Sequence, residues 1–147
     1  MPSIDELKNL PNLLRKIDFF RERIVSLRQM NGDIVLSGKP RCDGIPSSQK
    51  SDPTSKIACY LADEISVLEK SLTHLLTQYQ EQKSACEEII SFLDDIREQE
   101  ILTYRYFLNL DNLEIALKLG YSESHIRKLR RSAILHFGEL CRKLAKK

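Results

Sequence analysis

Four cations fall within five residues: Arg127, Lys128, Arg130 and Arg131. At that density guanidinium and ammonium groups suit phosphate oxygens, contacts that position a protein on a nucleic acid without reading its sequence. Just upstream stand Ser122, Glu123, Ser124 and His125, which with Lys128 offer donors and acceptors of the kind that reach base edges. Each has a plainer reading beside it. Glu123 can accept from cytosine N4, or it can simply compensate the positive end of a helix dipole. His125 can make a specific contact or face solvent, and the arginines can form a solvated helix face. Catalysis has little to work with. No paired carboxylates, nucleophile–base set or glycine-rich phosphate loop stands at usable spacing, so neither an enzyme nor a cofactor is expected. Asp94–Asp95 and Glu87–Glu88 read as a cap and solvated helix surface, and His74 and His136 as peripheral helix-face residues.

Side chains of this kind need elements to hold them. Asp111, with Glu114 three residues on, has the capping-box pattern of a helix start. Ile115, Ala116 and Leu119 form the inner face of that helix, and the small Ala116 lets a second helix approach closely. Gly120 then ends it, because glycine takes positive φ without a Cβ penalty, and Ser122 caps a new helix. In the new helix Ile126, Leu129, Ala133, Ile134 and Phe137 are the expected buried positions. Glu123, Ser124, His125 and Lys128 remain on its exposed N-terminal part. Two helices joined by so tight a turn, the second one basic, predict a helix-turn-helix whose second helix enters the major groove of double-stranded DNA. Arg127, Arg130 and Arg131, with Lys118 and Tyr121 nearby, are placed for phosphates. Ile101, Leu102, Tyr104 and Phe107 give the preceding helix an apolar stripe.

Charge is distributed to match. The net charge is +2, but residues 60–100 hold ten acidic side chains against three basic, and residues 120–147 hold eight basic against two acidic. A basic end can hold a polyanion while the acidic part stays off it. The plainer reading is a helix that ends in Lys and Arg because they favour its C-terminal dipole. With five glycines, five prolines and no tryptophan, the 147 residues read as a helix-rich chain forming one domain, or one small domain plus an extended element.

The N-terminal part predicts that extended element. A first helix should begin near Ser3 and run to about Met30, with Leu10, Leu13, Ile17, Phe20, Ile24 and Leu27 in alternating steps of three and four. Pro11 leaves open a later start, with Leu10 as a lead-in. Residues 31–56, holding three glycines, three prolines and a polar run, predict a long loop with a short extended stretch at Ile34–Leu36. A second helix carries Leu61, Ile65, Leu68, Leu72, Leu75, Tyr79, Gln82, Cys86, Ile89, Leu93 and Ile96 on one seam, a rod of roughly 60 Å at about 1.5 Å per residue. Residues 10–27 can pack antiparallel on part of it. The excess length asks for a partner, either the C-terminal domain or a homo-oligomer through residues 61–96, with Gln82 as a polar seam residue of the kind that fixes register. Asp95 with Glu98 suggests a fresh helix start, although a continuous helix is not forbidden. The expected fold is therefore all-α, a long antiparallel helical hairpin or coiled coil over residues 1–94 followed by a helix-turn-helix domain over 95–147.

Cys42, Cys59, Cys86 and Cys141 form no CxxC pair and the histidines stand far from them, so no metal site is expected. Nothing resembles a signal peptide and no apolar run approaches the ~18 residues of a membrane span. The expectation is a cytoplasmic chain with reduced thiols and no membrane partner.

Residues 98–137 also resemble region 4 of sigma-70-type factors. The likeness rests on Arg97, Glu98, Leu102, Arg105, Tyr106 and Phe107, then Ile115, Ala116, Leu119, Gly120, Tyr121, Ser122, Ile126 and Ala133. The whole chain looks like the small phage-encoded region-4-like regulators of late transcription (RinA/ArpU-like), in which a heptad-rich part and a polar loop such as residues 43–53 precede the motif. Two departures are Asn109, where a glycine is common, and Asn112–Leu113, where a more acidic or aromatic pair is usual. The resemblance implies transcriptional regulation of phage or prophage late genes in a bacterial host cell, with RNA polymerase as a candidate partner. It does not imply a complete sigma factor, since the promoter-melting region has no counterpart here. The competing expectation is an assembly module whose helix-turn-helix docks on a protein without reading DNA.

Overall fold

The computed structural model describes residues 2–38 and 53–146, and all the elements among them are helical. Helix α1 (Ile4–Gly38) starts where the sequence places it. Ser3 Oγ accepts from the Glu6 amide at 3.2 Å and the Glu6 carboxylate accepts from the Ser3 amide at 3.1 Å, a reciprocal cap. Pro11 lies inside the helix, forgoing one backbone bond, and the later start does not occur. The far end differs from expectation. Residues 31–38, including Ile34–Leu36, continue α1 instead of forming loop or extended chain. A lone Gly32 costs only about 1 kcal/mol in a helix, and no proline intervenes before Pro40. The rest of the expected loop, 39–52, lies outside the described residues.

Helix α2 (Pro53–Ser91) opens on a proline, whose missing amide has no intrahelical acceptor at that position anyway. It closes with tightened bonds from Phe92 and Leu93 amides to Ile89 and Ile90 carbonyls. The chain then breaks and α3 (Ile96–Leu102) begins at an Asp95 cap, which excludes the continuous helix. The break resets the helical phase, so Ile96, expected on the seam, is 68% exposed. A π turn, Thr103–Phe107, prolongs α3, with the Leu108 amide bonded back to the Thr103 carbonyl. Helices α4 (Asn112–Leu119) and α5 (Glu123–Ala145) follow.

The chain divides into two compact units, Arg15–Leu76, and Met1–Leu14 with Thr77–Lys147. In Arg15–Leu76, Ile24, Ile65 and Leu68 are buried together with Phe20, Leu27 and Leu72 packed around them. Arg23 pairs with Glu64 at 2.7 Å, and Arg28 pairs with Glu69. In the other unit, Leu7 and Leu10 of α1 and Cys86, Ile89 and Ile90 of α2 share one core with Leu102, Tyr106, Phe107, Ala133 and Phe137. That shared core is why this unit reaches back past residue 94. Gly138 lets Ile4 lie against α5, since a Cβ there would meet the Ile4 side chain at 2.6 Å. Burial of each large apolar side chain contributes about 1.5–3 kcal/mol, so Phe137, Leu7 and Leu10, all fully buried, anchor this core.

Candidate nucleic-acid interface

A second small core, Ile101, Ile115, Ala116 and Ile126 with Tyr104, Leu110, Leu119 and Leu129 around it, holds α3, α4 and α5 together. Ala116 is 4% exposed, and its size allows the close approach of α5. The connections are made by local chemistry. Asn109 takes the left-handed conformation at φ 57°, which asparagine tolerates better than most residues. Asp111 and Glu114 form the full capping box, at 2.7 and 2.9 Å. Gly120, at φ 75°, closes α4, with both its own amide and that of Tyr121 bonded to the Ala116 carbonyl. Ser122 Oγ then accepts from the His125 amide at 3.2 Å and starts α5.

This framework sorts the sequence-predicted residues. Ser124, Lys128 and Arg131 are exposed and fall at steps of four and three on α5, one stripe opposite the buried Ile126, Ala133 and Phe137. Glu123 and Arg127 are exposed too but pair with each other at 2.8 Å. An exposed i,i+4 pair is worth only about 0.3–0.5 kcal/mol, weak enough for a phosphate to displace. Ser122 has its hydroxyl committed to the cap. His125 is half-buried, its ring set edge-on to Tyr121 with centroids 4.9 Å apart. Tyr121 is 37% exposed at the turn. Lys118 lies over the Tyr104 ring at 4.7 Å. Arg130 is half-buried and donates to Asn112 Oδ1 at 3.0 Å, tying α5 to the first residue of α4. The stripe of exposed residues is thus Ser124, Lys128 and Arg131, with the others as its supports and flanks.

Sequence reasoning missed one cluster. Glu98, expected to answer Asp95 in a capping box, is 5% exposed and turns inward. Its carboxylate accepts from Ser132 Oγ at 3.1 Å and meets His136 Nδ1 at 2.8 Å, fastening α3 to α5. The hydrogen bond from Glu98, then its charge, pushes the His136 imidazole above its usual pKa, with Glu139 and Asp94 adding to the effect. Asp95 caps through the Arg97 amide instead, at 2.9 Å, and the Arg97 side chain holds its carboxyl below the ordinary range. Ser132 and His136 at i,i+4 were the available signal, but nothing local points them to a residue over thirty positions away.

Burial pushes the Cys86 thiol up to about 12, and Cys141 is likewise raised by burial, so both are poor nucleophiles. Cys42 lies outside the described residues. No described helix is long and apolar enough to cross a membrane. No protein-family model, curated protein or solved structure matches this chain.

Proposed function

We propose that this chain is a sequence-specific DNA-binding transcriptional regulator of phage or prophage late genes, acting in the cytoplasm of a bacterial host through a sigma-region-4-like helix-turn-helix. The observation that carries the reading is the stripe Ser124, Lys128 and Arg131. It begins in the first turn of a capped helix that a tight αL turn sets across a shorter one. In a helix-turn-helix the N-terminal residues of the second helix reach base edges, and cations flanking them hold phosphates. Ser124 and Lys128 then read bases, with Glu123 and His125 at the edge of the contact. Arg131 and Arg127 anchor the backbone, and Lys118, Tyr121 and Arg130 support it. The chemistry is binding, with no catalytic step and no cofactor.

The test is a selection of duplexes from a random pool followed by anisotropy titration. The enriched duplex should bind at least about a thousandfold more tightly than a scrambled one. Equal affinity for both would remove the sequence-reading role.

A second reading is supported by α4. Leu113 and Leu117, one turn apart on the same face, are 56% and 78% exposed, and Leu108 before them is 55% exposed. An apolar face beside a helix-turn-helix suits docking on a protein, with RNA polymerase as the candidate, either alongside DNA binding or in place of it. Crosslinking that traps a protein while footprinting protects no DNA would favour that assembly role.

A further inference from the structure

The seam first read as an oligomer interface is largely occupied within the chain: Leu61, Ile65 and Leu68 are buried. Another face of the Arg15–Leu76 unit is open. Tyr60, Val67 and His74 of α2 are spaced by seven residues and share one face, with Tyr60 67% and Val67 62% exposed. Beside them Lys16, Phe19 and Phe20 of α1 meet Lys70, Ser71, His74 and Leu75 around a groove of about 580 Å³. Phe19 is 59% exposed, and Met30, three turns further along the same face of α1, is 52% exposed. Early α1 lies against late α2 at this groove, while Arg23 reaches Glu64, so the two helices run antiparallel here.

We propose that this face binds a second copy of the chain, about a two-fold axis through Val67. Such an axis reverses α2 against its twin and matches residues at equal distance from Val67. Tyr60 of each copy then faces His74 of the other and enters the groove beside Phe19. Lys70, three residues after Val67, comes opposite Asp63, four residues before Val67 and on the same side of the helix face. Among the described residues, neither Asp63 nor Lys70 has an ion-pair partner within the chain, so the reversal supplies each with one. Self-complementarity of one patch is what an isologous interface requires. The extent is adequate too. The α2 part of the unit is about 36 Å long and two helices are about 20 Å across, giving about 700 Å² per copy against the roughly 800 Å² of a standard stable interface.

Sedimentation equilibrium of the full chain without DNA tests this separately from the DNA reading. Wild type should have the mass of two chains. Val67→Glu sets two carboxylates against each other on the axis and should weaken association at least about tenfold. Its helical circular dichroism should be unchanged, since the position is exposed. Lys70→Glu and Asp63→Lys should each weaken it roughly fivefold, and the two together in one chain should restore it to within about twofold, because the charges are exchanged on both sides. A monomeric wild type, a dimer indifferent to Val67→Glu, or a double variant no better than the singles would each overturn the proposal.

Discussion

At the scale of the residue, Glu98 is a charged group buried in the C-terminal unit, at 5% exposure. A buried carboxylate is tolerated only when its lone pairs are used, and Ser132 and His136 use them. Glu98→Ala should lower stability by about 1–3 kcal/mol in urea denaturation. The coupling also has a pH sign. His136 has a folded pKa raised above its unfolded value, so its contribution is complete below about pH 6.5 and is lost as pH rises through the folded pKa. Between about pH 6 and about pH 8 the urea midpoint of wild type should fall, and that of His136→Gln should fall less. Equal slopes in the two proteins would show that the pairing contributes nothing. The side chain is half exposed, so the effect is a modest one.

At the scale of the element, the helix boundaries around the candidate interface are written in single residues. Asp111→Ala removes the half of the capping box in which its carboxylate accepts from the Glu114 amide, and should cost about 1 kcal/mol. Gly120→Ala should cost about 1 kcal/mol or more from its positive φ alone, because nothing lies within 4 Å of the added Cβ. Both are measured by urea denaturation, and an unchanged midpoint in either would contradict the turn geometry. These residues were legible in the sequence because capping and αL turns are local: Asp111, Glu114, Gly120 and Ser122 all stand where the pattern puts them. So were the buried Ile115, Ala116, Ile126, Ala133 and Phe137. What was not legible depends on distant partners or on phase. Glu98 finds its partners across the fold, the break at residues 92–95 turns Ile96 out to solvent, and the π turn brings Tyr106 into the core beside the expected Phe107. Arg130 looked like one more surface cation until Asn112 was seen to hold it.

At the scale of the whole molecule, the proposal is a DNA-reading surface on α5 in the unit that holds the C-terminus, with self-association assigned to the α1–α2 pair of the other unit. Along the chain the acidic stretch 60–100 is shared by both units, while the basic end lies in the unit that carries α5. If both halves of the proposal hold, the bound DNA should carry paired half-sites about one or more helical turns apart. The central claim is that the exposed cations of α5 meet phosphate, and salt dependence measures that directly. In a titration of the selected duplex across a range of salt, log affinity falls with log salt by about 0.9 for each phosphate neutralised. The account predicts that Arg127→Ala/Arg131→Ala lowers the magnitude of that slope by about 2 while leaving the preference for the selected duplex in place. A slope identical to wild type would contradict it.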